Sequence, residues 1–320
     1  MASFRRTNFF GDIKKSNTKL LWFILSLTAL LFWSGSDMFS KIGSHPSDKN
    51  SHWKMMVAIG LVMGLHAAFE VFVNGVTITL SDIIAYMPAS ALYILSMVIG
   101  YVGLRYIELS ISTPICNSSG AVAALFCFIF LREAPEPLVW LGVLLVGVGI
   151  VSLGFVEMNE DDEIRALRQQ KANIKYAKSF VALLLPILYC LIDAAGTVAD
   201  TVILENLNED VANVAYELTW AAVALVAAVY IFAIRREKPI VRREGPKLLA
   251  GVCETAGQLA YIYAIGDEAH TGSAAAIISA YCALSVIWSR IFLKEKLSVK
   301  HYISIVIAVC GIVLLGVFDA

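Results

Sequence analysis

Ten stretches of about twenty predominantly apolar residues, divided by short polar joints, constrain this chain more than any other feature. A bilayer core about 30 Å thick takes roughly 20 such residues per helical crossing, because a backbone in lipid must satisfy its own hydrogen bonds. With 58% hydrophobic and 16% charged residues, the sequence is also far from the balance of a water-soluble domain. The reading is an all-α, multi-pass integral membrane protein. Its helices are expected near 20–42, 53–74, 83–106, 111–131, 137–155, 179–204, 211–234, 248–266, 272–292 and 299–318.

The basic segment 1–19 precedes a first apolar run with no A-x-A-like cleavage site, so that run is expected to stay as a helix. One joint, 156–178, is long and charged, carrying Glu160 to Glu163 and then Arg165, Arg168, Lys171 and Lys175. It divides the chain into five-helix halves, 20–155 and 179–320. Sliding the sequence against itself by 162 residues sets Ile129-Phe130-Leu131-Arg132-Glu133 on Ile291-Phe292-Leu293-Lys294-Glu295. The same shift sets Gly149-Ile150-Val151 on Gly311-Ile312-Val313. An odd number of spans per half makes the second half enter the membrane in the opposite sense. Such an inverted repeat lets a site between the halves open to either side in turn.

These residues resemble the drug/metabolite transporter superfamily, in its EamA-like branch of ten-helix carriers with two five-helix repeats. The resemblance covers essentially the whole chain and is most specific at Leu131 to Glu133 and Leu293 to Glu295, where a hydrophobic run closes with Leu-basic-Glu. Arg132 and Lys294 depart from the pattern, since many members carry Gly there. The resemblance implies transport of small metabolites across a bacterial-type inner membrane, that is the plasma membrane, driven by ion gradients. It names no substrate.

Carboxylates inside spans cost about 2.5 to 3.5 kcal/mol each on insertion scales and are functional candidates for that reason. Six qualify: Asp37, Glu70, Asp193, Asp200, Glu217 and Glu254. No Lys or Arg is expected deep in any span; Arg105 stands near a helix end, and His66 is the other ionisable group of note. Aromatics accompany the acids at helical spacing: Trp33 four before Asp37, Tyr189 four before Asp193, and Trp220 three after Glu217. Glu254, Gln258 and Tyr261 follow i, i+4, i+7 on the eighth span. A ring face attracts an ammonium by about 0.5 to 2 kcal/mol, and a desolvated carboxylate adds a stronger pull. The plainer alternative is that the rings fill space and the acids hydrogen-bond Ser, Thr or Asn neighbours.

The expected mechanism has Asp37 and Asp193, with Glu254, exchanging protons for a small cationic or amphipathic amine as the halves rock. Pro114 followed by Asn117, Ser118 and Ser119 marks a further cavity-compatible place, and Pro88 and Pro186 are expected to interrupt the third and sixth spans. Gly142, Gly147, Gly149 and Gly154, mirrored partly by Gly311 and Gly316, are expected at close helix contacts.

Other classes lack their signatures. No Tyr-Asp with Gly-x-Gly-Asp, no His-Glu-x-x-His and no Walker-type loop occurs, so an enzyme is not expected. The six cysteines lie singly in apolar segments, which argues for packing and against any metal or cofactor. Nothing points to nucleic acid. The expected partners are a small-molecule substrate, protons and lipid, with a homodimer left open. A receptor or scaffold would share the bundle, but the inverted repeat favours carriage. Export of amino acids or other zwitterions is the alternative substrate reading, and it lacks a deep cation to hold the carboxylate. Orientation is contested: most of the 25 basic residues follow odd-numbered spans, which puts the termini outside, whereas Arg5, Arg6, Lys14, Lys15 and Lys19 argue for a cytoplasmic start.

Overall fold

The computed structural model describes residues 18–45, 48–131, 137–160, 166, 180–238, 241–265, 274, 277–278 and 280–318. The basic N-terminal segment up to residue 17, Arg132 and Glu133, most of the 156–178 joint and the start of the expected ninth span lie outside the described residues.

Among the described residues ten helices appear in order: α1 Thr18–Gly43, α2 Ser51–Asn74, α3 Leu80–Gly103, α4 Leu109–Phe130, α5 Pro137–Met158, α6 Leu184–Leu204, α7 Glu209–Ile234, α8 Val241–Ile265, α9 Tyr281–Leu293 and α10 Val299–Phe318. Seven of them, α1 to α7, are long and apolar enough to cross a membrane, while α9 and the apolar part of α10 are shorter in the described residues. Several helices start earlier than hydropathy predicts, because hydropathy marks the lipid boundary and capping marks the helix boundary. Thr79 and Asp82 form a reciprocal capping box that starts α3, and the Asn208 side chain accepts from Asp210 N at 2.9 Å to start α7. In α8 the charged residues Arg242, Arg243, Glu244 and Lys247 form a polar lead-in before the apolar part. Pro186 does not interrupt α6. It falls in the first turn, where its missing N–H leaves no intrahelical bond unmade, and a short 3-10 turn, Phe180–Leu183, precedes it.

Side-chain periodicity separates lipid from protein. On α5, Leu144, Val148, Val151 and Phe155 face outward and are exposed, whereas Val139, Val146 and Leu153 are buried. An apolar outer face of this kind suits hydrocarbon and would be unfavourable in water.

The helix pairs obey a twofold rule. α1 packs on α8 as α6 packs on α3, α1 meets α9 as α6 meets α4, and α2 meets α8 as α7 meets α3. The pairs α2 with α7, α4 with α9, and α5 with α10 each map onto themselves under the same exchange. Lys41 at the end of α1 reaches the carbonyls of Leu104 and Ile107, while a Cβ on Gly103 would lie 3.2 Å from Leu185 at the start of α6. The end of α1 and the start of α6 therefore share one face of the bundle, and the two halves run in opposite senses.

Small residues set the closest contacts. A Cβ on Gly149 would lie 2.5 Å from the Ala308 nitrogen, and one on Gly311 would lie 2.6 Å from the Val146 nitrogen. These two glycines, related by the 162-residue shift, bring α5 and α10 into backbone contact, and Gly142 joins them. Gly147 and Gly154 meet nothing within 4 Å, so the packing role expected for them does not hold.

The repeated Leu-basic-Glu signature has a structural reason at its second copy. Lys294 takes φ 57°, the left-handed region that glycine enters without strain, and the Glu295 amide bonds back to Ser289 O at 3.2 Å. The Glu295 carboxylate then accepts from Leu109 N at 3.1 Å, Ser110 N at 3.0 Å and Ser110 Oγ at 2.8 Å. A residue of the second half thus caps the N-terminus of α4 in the first half.

Candidate functional site

Between the halves lies a cavity of about 690 Å³. α4 is broken beside it: one segment, Leu109–Cys116, closes when Asn117 N and Asn117 Nδ2 both donate to Thr113 O, at 2.9 and 3.1 Å. A second segment then runs Ser119–Phe126. α9 starts at Tyr281 after a turn in which Ala280 N donates to Ile277 O at 3.2 Å, the corresponding place in the second half. An interruption of this kind exposes backbone and small polar groups at the middle of a bundle.

The deep part of the cavity is acidic. Asp37 on α1 accepts from Ser285 Oγ at 2.7 Å and Thr113 Oγ1 at 3.3 Å, so it joins α1 to the broken α4 and to α9. Asp193 on α6 accepts from Ser96 Oγ at 3.0 Å and stands beside Ser119. Glu254 on α8 completes the group next to Ser36. Among the described residues no ammonium, guanidinium or imidazolium lies within ion-pairing distance of these three, and the lining contains no Lys, Arg or His. Tyr101 also lines this part and is only 6% exposed, yet its phenol has no hydrogen-bonding partner among the described residues.

Aromatic rings wall the same space. Trp33 packs against Tyr261 and Tyr281, with ring centres 5.2 and 5.5 Å apart, and Tyr93 meets Tyr216 edge-on at 6.1 Å. Trp33 lies on Gly257 of α8, where a Cβ would fall 2.5 Å from its Cδ1, and Tyr189 lies on Gly100 of α3, where a Cβ would fall 2.9 Å from its Cδ2. Tyr189 follows Trp33 by 156 residues and Gly257 follows Gly100 by 157. The same ring-on-glycine contact thus occurs twice between the halves, each half supplying one ring and one glycine, with a register different from that of the later helices.

Of the residues expected at the site, Trp33, Asp37, Asn117, Tyr189, Asp193, Glu254, Gln258 and Tyr261 line the cavity. Glu70, Glu217 and Trp220 lie elsewhere. Glu217, 2% exposed, meets His66 Nδ1 at 2.8 Å across the α2 to α7 contact, and His66 Nε2 lies 3.5 Å from Glu70. Trp220 is fully buried in the same contact, with its carbonyl and Ala224 over Gly60. Their spacing on one helix was correct, but that face of α7 turns to α2. Tyr86 and Tyr93 are lining residues that pattern reading passed over, although Tyr86, Tyr93 and Tyr101 stand on one face of α3 at about two-turn intervals. Asp200 also lines the cavity and accepts from Tyr86 OH at 2.7 Å.

The two ends of the cavity differ. At one, the lining reaches exposed Glu209 at the start of α7; at the other it stops at buried Ser40, Leu104 and Leu109. Below the closed end the chain buries the cations that sequence reading did not place. Lys41 is fully buried against the carbonyls that end α3, and Lys247, 1% exposed, lies 2.9 Å from Glu244 and 3.8 Å from Asp48. Lys54 lies 3.1 Å from Asp48 and 3.0 Å from Glu237, and Asn50 donates to Glu237. Lys41 is near the end of α1, Lys54 in the first turn of α2 and Lys247 within the first two turns of α8, and partners on other elements decide their burial, which position along the sequence does not reveal. Glu237 lies beyond the end of α7, and hydrogen bonding from Lys54 holds its carboxyl below the usual glutamate range.

A solved crystal structure is similar over 91% of this chain and 94% of its own, at 14% identity and a TM-score of 0.55, which speaks to the fold alone. No curated protein matches the chain. The EamA-like transporter family matches residues 20–155 and again residues 180–317. Two family repeats on two five-helix halves, around a cavity between them, make this chain a membrane transporter that belongs to the EamA-like transporter family.

Proposed function

We propose that the protein carries a small cationic, amine-like metabolite across the plasma membrane by alternating access, exchanging it for protons. The observation that carries this reading is the set of three deep carboxylates, Asp37, Asp193 and Glu254, whose neighbours are hydroxyls and aromatic rings. A buried carboxylate without a cation is costly as an anion. It is relieved either by a proton or by a bound ammonium, so one group serves both ions in turn. When an alkylammonium enters, a protonated carboxyl releases its proton and charge is conserved in the site. Tyrosine and tryptophan faces add attraction for the cation and cover its alkyl part.

Among the described residues the lining reaches exposed Glu209 at one end and stops at buried Ser40, Leu104 and Leu109 at the other, beyond which contacts join the halves, among them Lys54 with Glu237 and Lys247 with Asp48. Exchange of conformation between two similar halves would open that side and close the other. The described residues around the mouth, in the joint between α6 and α7 and the first turns of α3 and α7, carry Asp82, Glu205, Glu209 and Asp210 and no Lys or Arg. That field raises the local concentration of cations. A zwitterion, by contrast, finds no basic side chain among the described lining residues to hold its carboxylate.

The test is proton-dependent amine uptake into proteoliposomes by the wild type and by Asp37→Asn and Asp193→Asn. Loss of uptake, or of its pH dependence, is expected in each variant. An unchanged pH profile in both removes the reading.

A further inference from the structure

The acidic lining extends well beyond the deep group. Five carboxylates line the cavity, Asp37, Asp193, Asp200, Glu209 and Glu254, and no basic side chain among its described residues offsets them. A single ammonium leaves most of that charge unmet.

The charge is also arranged along a line. Asp193, Thr197 and Asp200 on α6 follow i, i+4, i+7 spacing, and all three line the cavity. α6 is uninterrupted from Leu184 to Leu204. Seven residues of such helix set the two carboxylates about 10 Å apart along its axis, at 1.5 Å rise per residue. Each carboxylate has its own surroundings. Asp193 belongs to the deep group beside Ser96, with Asp37 and Glu254. Asp200 stands toward the mouth, held by Tyr86 OH, with Glu209 and Tyr261 lining the cavity there. The wall between the two is aromatic and hydroxylic rather than charged: Tyr93 OH donates to Thr197 Oγ1 at 3.3 Å. The Tyr101 phenol, buried and without a partner, gives the deep end an additional polar group for a ligand.

Resting on the amine reading above, we propose that the substrate is a dication or polycation, an aliphatic diamine or polyamine lying along α6, with one ammonium in the deep group at Asp193 and the other at Asp200. The methylene chain between the ammonium groups packs on Tyr93 and its neighbours, which offer ring faces and a weak hydroxyl pair and no fixed charge. Two anchors a fixed distance apart select for chain length as well as charge, and a monoamine uses only one of them.

Titration calorimetry on the full chain in lipid nanodiscs tests this directly. The ligands are α,ω-diamines from 1,3-diaminopropane to 1,8-diaminooctane, spermidine, and n-alkylamines of matching length. Diamines are expected to bind about tenfold or more tightly than the matching monoamines, with affinity rising until the two ammonium groups span about 10 Å. Asp200→Asn is expected to weaken diamine binding by a factor about ten larger than its effect on monoamine binding. The wild-type chain-length series needs no variant, so the test survives poor folding of Asp200→Asn. Equal affinity for diamine and monoamine at every length overturns the two-anchor proposal and leaves the amine reading standing. Absence of binding by either series overturns both.

Discussion

Gly257→Ala is a sharp perturbation of the cavity wall. The added methyl would fall 2.5 Å from Trp33 Cδ1, 2.8 Å from Nε1 and 3.1 Å from Cγ. Carbon atoms settle at about 3.5 Å or more, so the indole must retreat by about 1 Å or swing off the helix. The ring is wedged against Tyr261 and Tyr281 as well, and it moves as part of that cluster. A displaced indole loses a cation attraction worth about 0.5 to 2 kcal/mol, which corresponds to a roughly 2- to 30-fold rise in Kd for an amine. Helix propensity works the other way, since alanine is favoured over glycine by about 1 kcal/mol in a helix interior. The expected signature is therefore a split, with weaker amine binding at little or no loss in Tm. Calorimetry in nanodiscs gives Kd, a thermal unfolding scan gives Tm, and the Trp33→Leu background shows whether the effect passes through the indole. Amine affinity within twofold of the wild type would refute the reasoning, as would an equal loss from Gly257→Ala when Trp33 is already absent.

Other substitutions test the frame. Gly149→Ala or Gly311→Ala forces a methyl into the backbone of the opposite helix and should destabilise the protein by about 1 to 3 kcal/mol, read as a lower Tm, whereas Gly147→Ala, with open space around it, should not. Glu295→Ala strips three acceptor contacts from the start of α4 and should cost about 2 kcal/mol or more, with part recovered in Glu295→Gln. Lys294→Gly relieves a left-handed residue and should raise stability by up to about 1 kcal/mol. Hydrogen bonding from Lys54 holds the Glu237 carboxyl below its usual range, so the stability it contributes is expected to be present above the ordinary glutamate pKa and lost as pH falls through the lowered one; the Tm difference between wild type and Glu237→Gln should shrink on acidification.

Much of this architecture was legible because lipid imposes simple rules. Runs of fixed length gave the spans, and an odd number per half fixed the relation between halves. The repeated Ile-Phe-Leu-basic-Glu string was visible, but its purpose was not: a carboxylate that caps a helix in the other half depends on a contact between residues nearly two hundred positions apart. The deep acids were found because burial makes an ionisable group conspicuous in an apolar run. Glu217 and Trp220 show the limit of that signal, since it reports depth and leaves the facing open; His66, one helix away, decides where Glu217 points. The 162-residue register also proved local. Trp33 on Gly257 and Tyr189 on Gly100 follow a spacing six or five residues shorter, so the correspondence of Asp37 with Asp193 shows in the aromatic four places before each and not in the 162-residue shift. Lys41 and Lys247 were missed for a related reason: their burial is set by partners on other elements, the Leu104 and Ile107 carbonyls for Lys41 and Asp48 for Lys247.

The most direct measurement is cation-driven proton flux in sealed proteoliposomes carrying a lumenal pH dye, with tetramethylammonium added outside because it cannot cross as a neutral base. The account predicts that the lumen turns alkaline as the cation enters against departing protons, and that Asp37→Asn combined with Asp193→Asn abolishes the signal. A wild-type lumen that stays at constant pH while the cation accumulates, or a double variant as fast as the wild type, would contradict it.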